Sequence, residues 1–281
     1  MKKILLLFLC AIMIFSFAAC GSSGAPASKG PGSSPEASSK PAEFKEKTVV
    51  DQDGVIVTLK SMSSSFLGQT LTLYIENNSE ENITVSGRDV SVNGIMATDM
   101  LYADIAAGKK SNEDMLLMYP DNANIKTIAN IEFKLRVSNS ESWEELFLTD
   151  VITVDIDPAY KQPINADGEE LVNVDGILIV FTGLSSDSLF GESANLYIEN
   201  TCGEKISVSV RDLSVNGYMV SAYLSADVLD GKKAFTDITF YDSDFEQYDI
   251  EDIEEIEFYF EVYNPDTWDD IYESEIITLT F

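Results

Sequence analysis

The sequence has no histidine, and only 18 lysine and arginine residues stand against 48 aspartate and glutamate. The first absence removes the commonest general base and the commonest transition-metal ligand. The second leaves a formal charge of −30, which argues against nucleic acid and bare anionic lipid as partners, because phosphate-reading surfaces need clustered cations. Cysteine is scarce too. Of the three present, Cys10 and Cys20 fall in the leader region, so Cys202 has no partner for a disulfide and stability must come from packing. No GxSxG, SxxK, Walker or zinc-ligand spacing occurs, so no reaction class is signalled. Glycoside hydrolysis needs only two well-placed carboxylates, but nothing singles out a pair.

What is present begins with an address. Lys2 and Lys3 precede an apolar stretch from Ile4 to Phe15, about a dozen residues and too short for a comfortable membrane span. Phe17-Ala18-Ala19-Cys20-Gly21 follows. It resembles the lipobox of bacterial lipoproteins, with Phe17 where leucine is usual. The resemblance implies a signal peptide over 1–19 and diacylglyceryl attachment at Cys20, two acyl chains being enough for stable anchoring. An ordinary secretory signal cut after Ala19 is the other reading. Residues 20–47 then form a Ser/Gly/Pro-rich linker of roughly 25–30 Å mean span over its flexible part. The expected location is extracytoplasmic, at the outer face of the cell membrane.

The rest is a tandem duplication. Tyr74-Ile75-Glu76-Asn77 answers Tyr197-Ile198-Glu199-Asn200, and Arg88-Asp89 with Ser91-Val92-Asn93-Gly94 answers Arg211-Asp212 with Ser214-Val215-Asn216-Gly217. Gly108-Lys109-Lys110 answers Gly231-Lys232-Lys233, Ile131-Glu132-Phe133 answers Ile256-Glu257-Phe258, and Trp143 answers Trp268. The two copies cover 48–156 and 171–281, with a linker at 157–170 punctuated by Pro158, Pro163 and Gly168. Inside each copy the apolar period is two: Ile131, Phe133, Leu135 and Val137 recur as Ile256, Phe258, Phe260 and Val262. Alternation of this kind means strands with one face in a core. About seven short strands in roughly 110 residues predict an immunoglobulin-like antiparallel β-sandwich. The expected fold class is therefore all-β, two such domains in tandem after a signal peptide and a disordered linker. A helical turn is expected within Asn122–Asn130 and within Phe245–Glu255.

The repeated run YIEN…RD(V/L)SVNG…GKK…IEF…W resembles repeats in uncharacterised clostridial-type surface lipoproteins. It is similar more loosely to telokin-like, immunoglobulin-type secreted domains of unknown function. The resemblance implies fold and location and brings no activity.

Candidate site residues are few. Asp242, Asp244, Asp249, Glu251 and Asp252 concentrate oxygen ligands of the kind calcium takes, although the spacing is not that of an EF-hand loop. A solvated acidic surface is the other reading. Tyr74, Tyr197, Tyr102 and Tyr223 lie near the polar phase of their strands, and Lys109, Lys110, Lys232 and Lys233 are rare cations in turns. These eight are the candidate partner contacts. Trp143 and Trp268 are expected in the core. Calcium is the one cofactor considered. The function expected is a membrane-anchored, non-enzymatic lipoprotein with two binding or adhesion modules, facing an envelope protein or a wall glycan. The alternatives are a structural or accessory subunit of an envelope or transporter complex and, last, a carboxylate-dependent hydrolase. Oligomeric state is not readable.

Overall fold

The computed structural model describes residues 44–65, 68–187 and 191–281; the leader, Cys20 and most of the Ser/Gly/Pro linker lie outside them. The first repeat holds β1 (Lys47–Gln52), β2 (Val55–Ser65), β3 (Gly68–Asn77), β4 (Ile83–Val92), β5 (Ile95–Met96), β6 (Thr98–Asp99), β7 (Tyr102–Ile105), β8 (Lys110–Met118), β9 (Asn130–Asn139), β10 (Glu145–Leu148) and β11 (Ile152–Asp155). A 3₁₀ turn at Asp121–Ala123 separates β8 from β9. The second repeat matches it strand for strand. Its strands are β12 (Glu169–Val174), β13 (Ile177–Asp187), β14 (Gly191–Asn200), β15 (Ile206–Val215), β16 (Tyr218–Met219), β17 (Ala222–Tyr223), β18 (Ala226–Val228), β19 (Lys233–Phe240), β20 (Glu255–Tyr263), β21 (Asp270–Glu273) and β22 (Ile277–Thr280). A six-residue helix, α1 (Asp242–Gln247), takes the place of the 3₁₀ turn.

In the first repeat one sheet runs β1-β2-β3-β8-β6, and the facing one runs β10-β9-β4-β5 with β7 on β4 and β11 on β9. Setting β1 aside, these are the A-B-E-D and G-F-C-C′ orders of the immunoglobulin sandwich. The second repeat has the same order, and all pairings within each repeat are antiparallel. The chain is all-β and immunoglobulin-like by its own strand order.

Alternation builds the strands. Along β9, Ile131, Phe133, Leu135 and Val137 are fully buried while Glu132, Lys134 and Arg136 face outward; β20 does the same with Ile256, Phe258, Phe260 and Val262. Each repeat thereby has its own apolar core. Two-residue turns close the hairpins. Asn93-Gly94 and Asn216-Gly217 both carry positive φ at both positions, the type I′ geometry that suits a twisted hairpin and favours Asn-Gly. The same asparagines brace the opposite loop: Asn93 Oδ1 accepts from the amides of Ala129 (2.8 Å) and Asn130 (3.0 Å), and Asn216 Oδ1 from Glu254 (2.9 Å) and Glu255 (3.0 Å).

The YIEN motif ends in a second brace. Asn77 and Asn200 are fully buried. Asn77 donates to the carbonyls of Glu81 (2.8 Å) and Ile105 (2.9 Å), and Asn200 to those of Glu204 and Val228 (both 2.8 Å). Replacing either by alanine strands buried carbonyls, at about 1–3 kcal/mol for each unsatisfied group. Asn77→Ala is therefore expected to lower stability by about 2–4 kcal/mol, read from denaturant midpoints. A loss below about 0.5 kcal/mol would contradict this role.

The two sandwiches are joined. Ala42–Phe281 form one compact unit, because β5 of the first repeat pairs in parallel with β19 of the second, Lys233 opposite Ile95. The Lys233 amide donates to the Gly94 carbonyl at 3.0 Å. Around this contact Ile95, Ala123, Val180, Tyr197 and Phe235 are buried together. The 157–170 segment packs onto the joint: Ile164 and Ala166 add to its apolar cluster, and Gln162 Oε1 accepts from Asn93 at 3.0 Å. The segment expected as a linker has a few apolar residues, and these find an apolar joint to cover.

Ion pairs ring that cluster. Lys232 meets Glu132, and Lys205 meets Asp89 at 3.1 Å, while Lys134 of the first repeat holds the other Asp89 oxygen at 2.9 Å. Burial alone would raise the Asp89 pKa, but the two lysines outweigh it and hold the carboxyl below its ordinary value of 3.8. A carboxyl with a depressed folded pKa stabilises above its ordinary pKa and loses that contribution as pH falls through the folded value. The joint should therefore weaken below about pH 4. In Lys205→Met the dependence of the melting temperature on pH across this window should flatten; an unchanged dependence would show that the pair does not couple to folding.

Candidate functional site

The most distinctive surface feature is one turn built twice. After β9, Asn139 Oδ1 accepts from the amides of Glu141 (2.9 Å) and Ser142 (3.0 Å), and its carbonyl accepts from the Trp143 amide (3.0 Å). After β20, Asn264 does the same with Asp266 (2.9 Å), Thr267 (3.2 Å) and Trp268 (2.7 Å). Curling the chain around the asparagine drives the tryptophan into the left-handed region, at φ 63° for Trp143 and 65° for Trp268. A bulky side chain there is an outlier costing of the order of 1–2 kcal/mol.

The strain is not repaid by burial. Trp143 is 58% exposed and Trp268 75%, so the core placement expected for them is overturned: the turn points both indoles outward. Each lies beside a tyrosine. Trp268 stacks on Tyr263, ring centres 5.5 Å apart and planes within 9°, and Trp143 lies 6.4 Å from Tyr102 at 36°. Acids flank each tryptophan on both sides, Glu141, Glu144 and Glu145 in one turn, Asp266, Asp269 and Asp270 in the other. A flat aromatic face in a negative frame attracts cations through the ring quadrupole. The shared pattern Asn-x-acid-Ser/Thr-Trp-acid-acid is visible in the sequence; matching the tryptophans without their neighbours misses it.

The four candidate tyrosines differ in exposure. Tyr102 and Tyr223 are exposed. Tyr74 is half-buried with the Lys60 ammonium 5.9 Å from its ring centre. Tyr197 is only 3% exposed, because the first repeat covers it, so it is no free contact for another molecule. Its hydroxyl donates to Glu199 at 2.7 Å, and burial first, then Glu199, pushes its pKa up. Lys232 and Lys233 are likewise used inside the molecule, on Glu132 and on Glu199 (2.9 Å). Lys110 pairs with Glu76, and Lys109 is exposed.

The carboxylates of the acidic run are spread along the loop rather than gathered at one point. Among the described residues no three carboxylates converge as metal ligands. Phe245, Tyr248, Ile250 and Ile253 turn toward the second core, which fans Asp242, Asp244, Asp249, Glu251 and Asp252 apart. Asp244 accepts from the Ser221 amide at 2.5 Å, and Asp242 starts the short helix. Calcium and chelator should give melting temperatures within about 1 °C of each other, since only a ligand bound specifically to the folded state shifts the transition. A rise of several degrees in calcium would restore the site.

An open groove of about 780 Å³ runs beside the joint, floored by Val90, Met96, Met118, Tyr119 and Phe235. Its charged rim is largely self-paired: Lys205 holds Asp89 and Asp227, and Arg88 donates to the Gly87 carbonyl.

No protein-family model matches the chain, and no curated protein does. Solved structures with some likeness include the YadV chaperone (12% identity, 81% of this chain and 100% of that one, TM-score 0.27). Another is a Porphyromonas gingivalis protein of unknown function (12%, 79% and 99%, TM-score 0.24). A third is the CsuC–CsuE chaperone–tip adhesion subunit complex from archaic chaperone-usher Csu pili of Acinetobacter baumannii (14%, 74% and 90%, TM-score 0.20). The class of this protein rests instead on strand order and turns: two fused immunoglobulin-like sandwiches, each presenting a strained, solvent-facing tryptophan.

Proposed function

We propose that the chain is an extracytoplasmic lipoprotein, anchored through diacylglyceryl Cys20, whose two sandwiches are non-catalytic recognition modules. The observation that carries this is the repeated Trp143 and Trp268 turn. Both repeats of the chain hold this tryptophan in a conformation that costs free energy and leaves a large aromatic surface in water; backbone strain of this kind concentrates at ligand-contacting sites. The acid-flanked Trp–Tyr pairs suit a ligand bearing ammonium or guanidinium groups, on an envelope protein or on an amine-bearing wall polymer. Two sites on one compact unit gain affinity when both engage the same partner.

The test is retention of residues 42–281 on purified wall polymer and on solubilised envelope protein, beside the Trp143→Gly/Trp268→Gly variant. Glycine leaves the net charge unchanged, so bulk electrostatic attraction cancels in the comparison. Retention lost only in the variant supports the reading, and equal retention overturns it. The polymer and protein arms identify the ligand.

The accessory-subunit reading is favoured by a separate observation, the β16 edge of the second module, which among the described residues pairs with no strand but β15.

A further inference from the structure

We propose that the outer face of the second module around β16 is a docking surface for the open, lysine-bearing sheet edge of another β protein. This rests on the accessory-subunit reading above and names the partner of that surface.

The precedent lies inside the molecule. On the first module, the hairpin β4–β5 seats the β19 edge of its neighbour: Ile95 is fully buried, Glu132 takes Lys232 and Asp89 takes Lys205. The second module carries the same hairpin as β15–β16, with Ser214 opposite Met219 and Val215 opposite Tyr218, as Ser91 is opposite Met96 and Val92 opposite Ile95. Nothing covers it. Tyr218 is 48% and Met219 61% exposed. Glu257 occupies the register position of Glu132, each opposite the corresponding serine. Asp212 stands where Asp89 does, in the same bulge and also at positive φ. Neither Asp212 nor Glu257 has an ion pair among the described residues. With Met219 and Tyr259 they line a shallow depression of about 460 Å³.

Charge says what would fill it. Lys134, which helps hold Asp89, is replaced at the matching register by Tyr259, and Arg136 by Glu261. Glu273 and Glu275 extend the rim. The carboxylates that hold lysines in the first module therefore face outward here with fewer local cations, and complementary charge must come with the partner.

That partner is not a second copy of this chain. The edge a second copy could offer is β8, where Thr58 and Asn112 stand in place of the joint residues Val180 and Phe235, each opposite its tyrosine. Asn82 precedes β4 where Lys205 precedes β15. The apolar and cationic features that seal the joint are missing from that edge, and two chains of charge −30 repel.

This gives a test within the protein itself. Giving the first module the missing features, as Thr58→Val/Asn82→Lys/Asn112→Phe in residues 42–281, supplies the docking face with a fitting edge on the next molecule. A head-to-tail contact of this kind does not close on itself, so chains should grow with concentration. Sedimentation velocity near physiological salt should show the native protein as a monomer and the triple variant as concentration-dependent oligomers. Adding Glu257→Lys should weaken that association about tenfold or more. A triple variant that stays monomeric with a native circular dichroism spectrum overturns the proposal, as does assembly indifferent to Glu257→Lys. Assembly of the native protein would make the second copy the occupant instead. Trp143 and Trp268 are untouched in every arm, so failure here leaves the tryptophan reading standing, and the converse holds.

Discussion

Replacing Trp143 and Trp268 together by glycine should leave stability within about 1 kcal/mol per site of the native protein while removing ligand retention. Truncating a core tryptophan costs about 3–5 kcal/mol, and that would be the outcome if these side chains served packing. Here the terms oppose one another. Glycine relieves a left-handed backbone worth about 1–2 kcal/mol. It forfeits an aromatic pair worth about 0.5–1.5 kcal/mol and the entropic advantage of a larger residue. Denaturant midpoints of the two proteins decide it. A loss above about 3 kcal/mol per site would show that the indoles hold the fold, and the functional argument from strain would go with it.

Ile95→Asp should be the most damaging single change at the joint and should separate the melting of the two modules. Ile95 is fully buried in the cluster between them, beside the strand contact with Lys233. A carboxylate placed there has no free cation to pair with, because Lys232 and Lys205 are already committed to Glu132 and Asp89; an unpaired buried charge costs several kcal/mol. Tyr218→Asp is the internal control. It changes the matching position of the second module, which is half exposed and stacked on Tyr248, so its effect should stay within about 1.5 kcal/mol, the worth of that aromatic pair. Calorimetry should show one transition for the native protein and for Tyr218→Asp, and two for Ile95→Asp. Equal behaviour of the two variants would mean that the joint contributes nothing to cooperativity.

The contrast between these two positions shows what a single sequence can carry. Strands were legible because alternation is local: the four buried residues of β9 and of β20 repeat every second position. The hairpins were legible because Asn-Gly has a backbone reason to be there. Tyr74 and Tyr197, by contrast, sit in identical YIEN motifs, and only the second is buried. The difference lies on neighbouring strands, Val180 and Phe235 against Thr58 and Asn112, so no reading along one motif could separate them. The acidic run leaves two readings open in the sequence for a related reason. Its isoleucines decide where the carboxylates point, and they turn into the core and spread the acids apart. For the tryptophans the local signal existed, in the acids on either side and the asparagine four residues before. The general tendency of tryptophan to fill a sandwich core points the other way.

The recognition role of the two turns is open to one direct measurement, because the chain's 2 tryptophans are Trp143 and Trp268. Tryptophan emission, excited beyond the absorption edge of the 12 tyrosines, therefore reports from the proposed sites and nowhere else. Residues 42–281 would be titrated with a short lysine- and arginine-bearing peptide near physiological salt, with an uncharged peptide of equal length as control. The account predicts a saturable change in tryptophan emission with the cationic peptide alone, and peptide binding, followed by a label on the peptide, that falls sharply in Trp143→Gly/Trp268→Gly. Unchanged emission while the labelled peptide binds both proteins equally would place recognition elsewhere on the acidic surface and contradict the account.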